Sequence, residues 1–220
     1  MSTDTSKRKA INWPLVILGL AVMVAGAVVA HYALEPRQSA SLPEDLQATY
    51  LPQGKPISGL QLQDHNQAPF NESRFKDKWS FLFFGFTNCP DVCPTTMLVM
   101  KSVWDKLPEA ARQAPAPEMI FVSVDPQRDT LDKLKQYVTY YHPAFLGVTG
   151  ELDQIDVFTR QLGVLYGFED PNAEGNYTVN HSSQIILVDP QGNMRAVFSA
   201  PHLTDEIVKS FIAIRNYYNG

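Results

Sequence analysis

The 220-residue sequence contains only two cysteines, Cys89 and Cys93, and three residues separate them. A scaffold held together by disulfides needs several bridges spread along a short chain, so that class of protein is excluded. The sequence also lacks an excess of positive charge, because 18 lysines and arginines stand against 23 acidic residues. This balance argues against nucleic-acid binding. The close cysteine pair therefore indicates a chemical site rather than a structural crosslink.

Internal repeats and low-complexity segments are also absent from the sequence. Hydrophobic residues make up 45% of the chain and aromatic residues 11%, which is the composition of a globular protein with a core and excludes wholesale disorder. The length suffices for one ordinary domain with appendages.

A basic cluster at residues 7–9 precedes an apolar run over residues 13–34. About 20 apolar residues are needed for a helix to cross a bilayer, and basic residues favour the cytoplasmic side. We therefore expect a cytoplasmic N-terminus at 1–12 and a transmembrane anchor at 13–34. A cleaved signal peptide, with its cleavage site near residues 25–27, is the main alternative, and a buried core helix is another. The sequence before the run is too short and too poor in arginine for a mitochondrial presequence. We expect a bacterial inner-membrane protein with a single span and its C-terminal domain in the periplasm.

Prolines interrupt residues 35–56, which we interpret as a tether, and a compact domain is expected over residues 57–220. Alternating strand and helix patterns in that domain predict an α/β fold, with a mostly parallel sheet covered on both sides and an antiparallel edge. The predicted strands are residues 79–86, 119–124, 145–148, 184–188 and 194–198. The predicted helices follow the cysteines, a cap at Asp129 or Thr130, the third strand and a cap at Thr204, and Gly163 ends the third of them.

Residues 163–180 show no periodicity, and long loops of this kind are usually functional or disordered. The loop ends at His181, which enters the next strand. We interpret the other histidines of the domain, His65, His142 and His202, as solvated because they lie in polar or proline-flanked segments.

Cys89 and Cys93 have the spacing that brings two side chains to one face of a helix, with Cα atoms about 6 Å apart. That separation also allows a disulfide, so metal binding and thiol chemistry both remain open, as does an inert pair of buried thiols. Thiolates select soft ions such as Cu(I) or Zn(II). Two thiolates and one imidazole satisfy a three-coordinate cuprous ion, whereas a structural zinc site needs a fourth ligand.

Three blocks of sequence resemble the Sco/SenC family. Residues 84–95 (FGFTNCPDVCPT) resemble its cysteine signature, residues 123–130 (SVDPQRDT) its second block, and residues 179–182 (VNHS) its third, which normally reads VDHS. The resemblance extends from about residue 55 to 215. It implies a thioredoxin-like fold, with a central mixed sheet flanked by helices and preceded by one N-terminal transmembrane helix. It also implies one copper per chain, as Cu(I), Cu(II) or both, bound by Cys89, Cys93 and His181.

The function implied by the resemblance is that of a copper metallochaperone, not an enzyme, that helps assemble the CuA centre of cytochrome c oxidase. The expected partners are subunit II of the oxidase as copper acceptor and another periplasmic copper chaperone as donor. One alternative is a thiol–disulfide reductase, with Cys89 and Cys93 as the redox pair that keeps the oxidase cysteines reduced. Another is a redox or copper sensor. A peroxiredoxin-like peroxidase is less favoured, because cysteines this close fit a metal clamp better.

The sequence departs from the family pattern at two positions next to the expected ligands. Asn88 stands where many members have histidine, and Asn180 stands where aspartate is usual. Asn180 and Asp125 are candidates for orienting the ligand histidine, although the uncharged Asn180 cannot do so as a carboxylate. Asp125 has an equally simple interpretation as a turn residue before Pro126.

Overall fold

The computed structural model describes residues 17, 19–27, 42, 46, 48–112, 116–173 and 175–219. Residues 19–27 are helical, and no helix among the described residues is both long enough and apolar enough to span a bilayer. The predicted N-terminus at 1–12 and much of the predicted anchor at 13–34 lie outside the described residues. The chain divides into two units, and the larger one, Leu42–Asn219, contains both cysteines and His181.

The elements of the larger unit alternate between strands and helices in the predicted order, with additional short strands. The strands are β1 (Thr49–Pro56), β2 (Leu62–Asp64), β3 (Pro69–Phe70), β4 (Ser80–Gly85), β5 (Glu118–Ser123), β6 (Leu146–Thr149), β7 (Tyr166–Phe168), β8 (Val179–His181), β9 (Ile185–Val188) and β10 (Asn193–Phe198). The helices are α1 (Val92–Lys106), α2 (Glu109–Arg112), α3 (Leu131–Tyr141), α4 (Leu152–Leu162) and α5 (Thr204–Asn219), with a 3-10 helix at Glu72–Phe75.

The main sheet has the strand order β1-β10-β9-β4-β5-β6-β2-β3. Its central strands β4, β5 and β6 are parallel, whereas the other described pairings are antiparallel. The prediction of a mixed sheet in an α/β domain is confirmed, but the expectation of a mostly parallel sheet is wrong. The antiparallel part is larger than expected because β9 pairs antiparallel with β4 and the unpredicted strands β1 and β2 pair antiparallel with β10 and β6.

The centre of the sheet is buried on both faces, as the continuous apolar run over residues 79–86 predicts. Every residue of β4 is buried, and so are five of the six residues of β5.

The predicted helix boundaries are confirmed at two positions. The Thr130 hydroxyl caps α3 by accepting the Lys133 N–H, and Gly163 ends α4 with a left-handed φ of 67°. The first turn of α1, which carries Cys93, begins seven residues after Gly85, the last residue of β4.

Residues 49–56, which we assigned to the tether, form the edge strand β1 against β10. The register of this pair shifts between Tyr50 and Lys55, and edge strands with such irregularities tolerate proline. Arg195 fastens the irregular part by donating from Nη1 to the carbonyls of Leu51 and Pro52, at 3.1 and 2.6 Å. Sequence periodicity misses this strand because none of its residues is fully buried, and it is held by backbone pairing with β10 and by the distant Arg195.

The segment 163–180, which we expected to be without structure, contains β7 and leads into β8. These strands pair antiparallel, with Tyr166 opposite His181, and form a two-stranded sheet separate from the main one. We call residues 166–181 the histidine hairpin. Strands of three residues are too short to show a hydrophobic period, which is why the pattern was not visible in the sequence.

The interpretation of His65 as solvated is wrong. Its ring is buried and its Nδ1 accepts the N–H of Gly147 at 3.0 Å. Burial lowers the pKa of His65, so the neutral ring acts as a hydrogen-bond acceptor inside the fold. His142 and His202 are half-buried, and His202 lies 2.6 Å from the carbonyl oxygen of Ser183 through its Nε2.

Candidate metal centre

The two cysteines lie where β4 gives way to α1. The helix begins at Val92, so Cys93 is in its first turn and Cys89 is in the preceding loop. The pair is therefore not helical at both positions, although Pro94 does fall in the first turn, where proline is tolerated. The backbone N–H of Cys93 donates to Cys89 Sγ at 3.4 Å, which folds the loop so that both thiols face the same space. Both cysteines are free.

The histidine hairpin brings His181 to these thiols from a position 88 residues away in the chain. Its Nε2 lies 3.2 Å from Cys93 Sγ, and the three ligand atoms of Cys89, Cys93 and His181 all lie within 4.8 Å of one another. The other ring nitrogen, Nδ1, lies 3.0 Å from the carbonyl oxygen of Ser182. A carbonyl only accepts, so the proton is on Nδ1 and the lone pair of Nε2 is directed to the cysteines. No sequence pattern indicates Ser182 in this role, since the acceptor is a backbone atom.

Burial sets the protonation of the site before a metal enters. It raises the pKa of the Cys93 thiol, an effect that a hydrogen bond with the Phe86 backbone opposes and that Cys89 reinforces. Burial also lowers the pKa of His181, with the Ser182 carbonyl acting in the opposite direction. His181 is therefore neutral at pH 7 and able to act as a ligand. The Cys93 proton must leave when a metal binds, so metal uptake releases protons.

Aromatic rings and a glycine form the wall of the site. The rings of Phe83 and Phe86 each lie 5.9 Å from the His181 ring, in edge-to-face contact. Gly85 leaves room for the buried sulfur, because a Cβ atom there would lie 2.6 Å from Cys93 Sγ and 3.0 Å from the Phe121 ring. The glycine of the signature is thus required by the close approach of a strand to a sulfur ligand.

We expect Gly85→Ala to displace Cys93 Sγ and to lower the free energy of unfolding by about 1–3 kcal/mol, the usual effect of overpacking a core. Chemical denaturation of the metal-free protein measures the loss. Gly167→Ala is the matched control, because a Cβ at Gly167 meets nothing within 4 Å. Equal stability of the Gly85→Ala protein and the wild type would contradict the steric explanation.

The loop before Cys89 is fastened to the end of β5 by Asp129, which is buried. Its carboxylate accepts the backbone N–H and the hydroxyl of Thr87, at 2.8 and 2.5 Å, and the hydroxyl of Ser123 at 2.6 Å. Lys133 donates to Asn88 Oδ1 at 2.7 Å on the exposed side of the same loop. From the sequence, Asp129 was only a candidate helix cap. The end of the buried strand β5 at Ser123, six residues earlier, is the signal that could have indicated a buried role.

Asp125 and Asn180, the two residues considered for orienting His181, make other contacts. The buried Asp125 carboxylate accepts Arg128 Nε at 2.5 Å and the Tyr177 hydroxyl at 2.7 Å. Asn180 donates from its exposed amide to Glu169 Oε1 at 2.9 Å, across the histidine hairpin. Asp125 therefore supports the hairpin upstream of the ligand, and Asn180 lies on the opposite face of β8 from His181.

Comparison with known proteins identifies relatives that share both sequence and fold. The family model described as SCO1/SenC matches residues 52–215. A candidate copper-binding protein of Stutzerimonas stutzeri is 38% identical over 69% of this chain and 72% of its own length, whereas the chain spans only 58% of the mouse mitochondrial protein SCO2 homolog.

Two solved structures of Sco proteins resemble this chain in both sequence and fold. The apo Sco1 protein of Thermus thermophilus is 35% identical with a TM-score of 0.67, over 77% of this chain and 96% of that one. Bradyrhizobium japonicum ScoI, solved with copper bound, is 30% identical with a TM-score of 0.63, over 73% of this chain and 99% of that one. The domain therefore has the Sco fold, in agreement with the expected thioredoxin-like class.

Proposed function

Because the chain belongs to the SCO1/SenC family, we propose that it binds one copper ion through Cys89, Cys93 and His181 and delivers it during assembly of cytochrome c oxidase. The observation that carries the proposal is the convergence of these three side chains, whose ligand atoms lie within 4.8 Å of one another. Two thiolates and a neutral imidazole are a soft donor set that suits Cu(I), and the imidazole also supports Cu(II).

The different exposure of the ligands suits a protein that releases its cargo. Cys93 is fully buried, whereas Cys89 and His181 are half-buried at the surface of the domain. An incoming ligand from an acceptor can replace Cys89 or His181 first, while Cys93 retains the ion until the exchange is complete. A site with three ligands also leaves the fourth position of a tetrahedral ion open to the acceptor.

The acceptor that we propose is the CuA-bearing subunit II of cytochrome c oxidase, and the donor is another periplasmic copper chaperone. We further propose that residues 13–34 anchor the chain in a bacterial inner membrane with the domain on the periplasmic side. The apolar run and the basic residues that precede it support this placement.

Thiol–disulfide exchange with the same acceptor is the second candidate function. The two cysteines favour it, because both are free and their sulfur atoms lie within 4.8 Å of each other. Against it, burial raises the pKa of Cys93 and thereby suppresses the thiolate that would attack a disulfide. Cys89, the more exposed of the two, would have to be the attacking thiol.

A transfer assay tests the proposed function. The full chain, loaded with copper in detergent, is mixed with the metal-free, reduced soluble domain of subunit II, and the visible charge-transfer bands of that domain are followed. We expect the bands to grow with the wild-type donor and to fail with His181→Ala. If the metal-free chain instead reduces an oxidised acceptor equally well with and without His181, the reductase function is supported. A sensor would do neither.

A further inference from the structure

The histidine hairpin carries one of the three ligands, yet it is paired to itself and not to the main sheet. Side-chain contacts with the rest of the domain therefore help to determine where His181 lies relative to the cysteines. One such contact is the hydroxyl of Tyr166, which donates to Asp156 Oδ1 on α4 at 2.6 Å. Another is a cluster of Asp125, Arg128 and Tyr177, which we call the hairpin clasp.

The hairpin clasp joins the segment after β5 to the segment just before β8, the strand that ends at His181. Arg128 donates from Nη1 to the carbonyl oxygen of Tyr177 at 2.7 Å, and its guanidinium lies over the Tyr177 ring at 3.6 Å from the centroid. Asp125 completes the cluster by accepting Arg128 Nε at 2.5 Å and the Tyr177 hydroxyl at 2.7 Å. Charge-assisted hydrogen bonds and a stacked guanidinium are among the stronger contacts that side chains make.

Arg128 also touches the wall of the metal centre. Its guanidinium lies 5.6 Å from the centroid of the Phe86 ring, and that ring meets the His181 ring at 5.9 Å. Phe86 belongs to the cysteine side of the site, because its carbonyl oxygen accepts the N–H of Cys89 at 3.2 Å. A single arginine thus contacts the segment before the cysteines and the hairpin that carries the histidine.

We propose that Arg128 is a positioning residue, and that the hairpin clasp holds His181 at binding distance from the two cysteines. The metal-binding part of this inference rests on the proposed function. Lysine cannot replace Arg128, because one planar group donates in two directions to Asp125 and Tyr177 while it stacks on the Tyr177 ring. The contacts predict a specific defect: without the clasp the thiols still bind copper, but the imidazole no longer ligates it fully.

The experiment compares the wild type with Arg128→Lys and Arg128→Gln, each as the full chain in detergent. Electron paramagnetic resonance of the Cu(II)-loaded protein reports whether an imidazole nitrogen is bound, and competition with a chromophoric chelator gives the Cu(I) affinity. We expect both variants to keep the sulfur-to-copper charge-transfer band, to lose the nitrogen hyperfine coupling, and to bind copper about 10- to 100-fold more weakly, as for other groups that orient a metal ligand.

Arg74→Gln is the matched control, because it breaks an arginine–carboxylate contact of 2.7 Å to Glu118, at the opposite end of β5 from Asp125. The Arg74→Gln protein should keep the wild-type Cu(I) affinity and the wild-type nitrogen hyperfine coupling. If Arg128→Gln does not fold, Tyr177→Phe removes only the bond to Asp125 and should weaken the nitrogen coupling in part. A variant at Arg128 that retains full nitrogen coupling and wild-type affinity overturns the proposal.

A measurement on the metal-free protein separates this inference from the proposed function. Amide hydrogen exchange of residues 179–181 should be faster in Arg128→Gln than in the wild type and the Arg74→Gln control. If the wild type binds no copper, the proposed function is wrong, and faster exchange still supports the clasp. Unchanged exchange in Arg128→Gln counts against the clasp whether or not copper binds.

Discussion

Cys93→Ser is expected to abolish stoichiometric copper binding by the full chain. Cys93 is the ligand that links the other two, with its Sγ 3.2 Å from His181 Nε2 and its backbone N–H bonded to Cys89 Sγ. A serine hydroxyl is a hard donor and does not replace a thiolate on a cuprous ion. The affinity loss should exceed the 10- to 100-fold that is typical when a group behind a ligand is removed. Competition with a chromophoric Cu(I) chelator measures it.

The serine variant also changes stability, and the two effects can be separated. A serine at this position exchanges a buried thiol for a smaller and more polar hydroxyl, which costs about 1–3 kcal/mol of unfolding free energy where the hydroxyl does not keep the contact of the sulfur with His181 Nε2. Cys93→Ala is the matched variant, because it removes the sulfur without adding a polar group. Both variants should lose copper, whatever their stabilities in chemical denaturation. Wild-type affinity in either variant would exclude Cys93 as a ligand.

Asp189→Ala is expected to destabilise the domain by about 3–5 kcal/mol, the effect of removing one partner from a buried ion pair. Asp189 is fully buried, and its Oδ2 accepts Arg195 Nε at 2.9 Å and Nη2 at 2.5 Å. Its Oδ1 accepts the backbone N–H groups of Gln191 and Asn193, both at 2.9 Å, and so closes the turn between β9 and β10. The substitution leaves a buried guanidinium unpaired, and it also loosens β1, which Arg195 holds.

Chemical denaturation of the metal-free domain checks this prediction. The control is Asp105→Asn, which breaks the solvent-accessible pair with Lys101 on α1 and should change stability by only about 0.3–0.5 kcal/mol. Because Asp189 lies at the far end of β9 from the His181 segment, the copper affinity of the folded fraction should be unchanged. A stability loss no larger than that of Asp105→Asn would show that the buried pair does not hold the edge of the sheet.

Long periodic segments made most of the fold predictable. The apolar run ending at Phe86 identified the central strand, and Thr130 and Gly163 marked helix ends, because burial and capping act over a few neighbouring residues. The histidine hairpin and strand β1 were not predictable in this way. Their positions depend on contacts between residues far apart in the chain, such as Arg128 with Tyr177 and Arg195 with Leu51.

The ligand residues of the candidate site could be predicted from the sequence, but the groups that hold those ligands in place could not. The spacing of Cys89 and Cys93 indicated a site by itself, whereas His181 lies 88 residues after Cys93 and was identified only through the family resemblance. The groups that hold these ligands were missed or misassigned. Ser182 acts through its backbone, Asp129 has the sequence context of a helix cap, and the role of Arg128 depends on a hairpin that the sequence pattern does not show.

X-ray absorption spectroscopy at the copper edge of the Cu(I)-loaded full chain identifies the ligands of the copper ion. We expect one copper per chain with two sulfur scatterers and one imidazole nitrogen, and loss of the nitrogen alone in His181→Ala. A coordination shell of nitrogen and oxygen without sulfur, or a wild-type spectrum that His181→Ala leaves unchanged, would contradict a site formed by Cys89, Cys93 and His181.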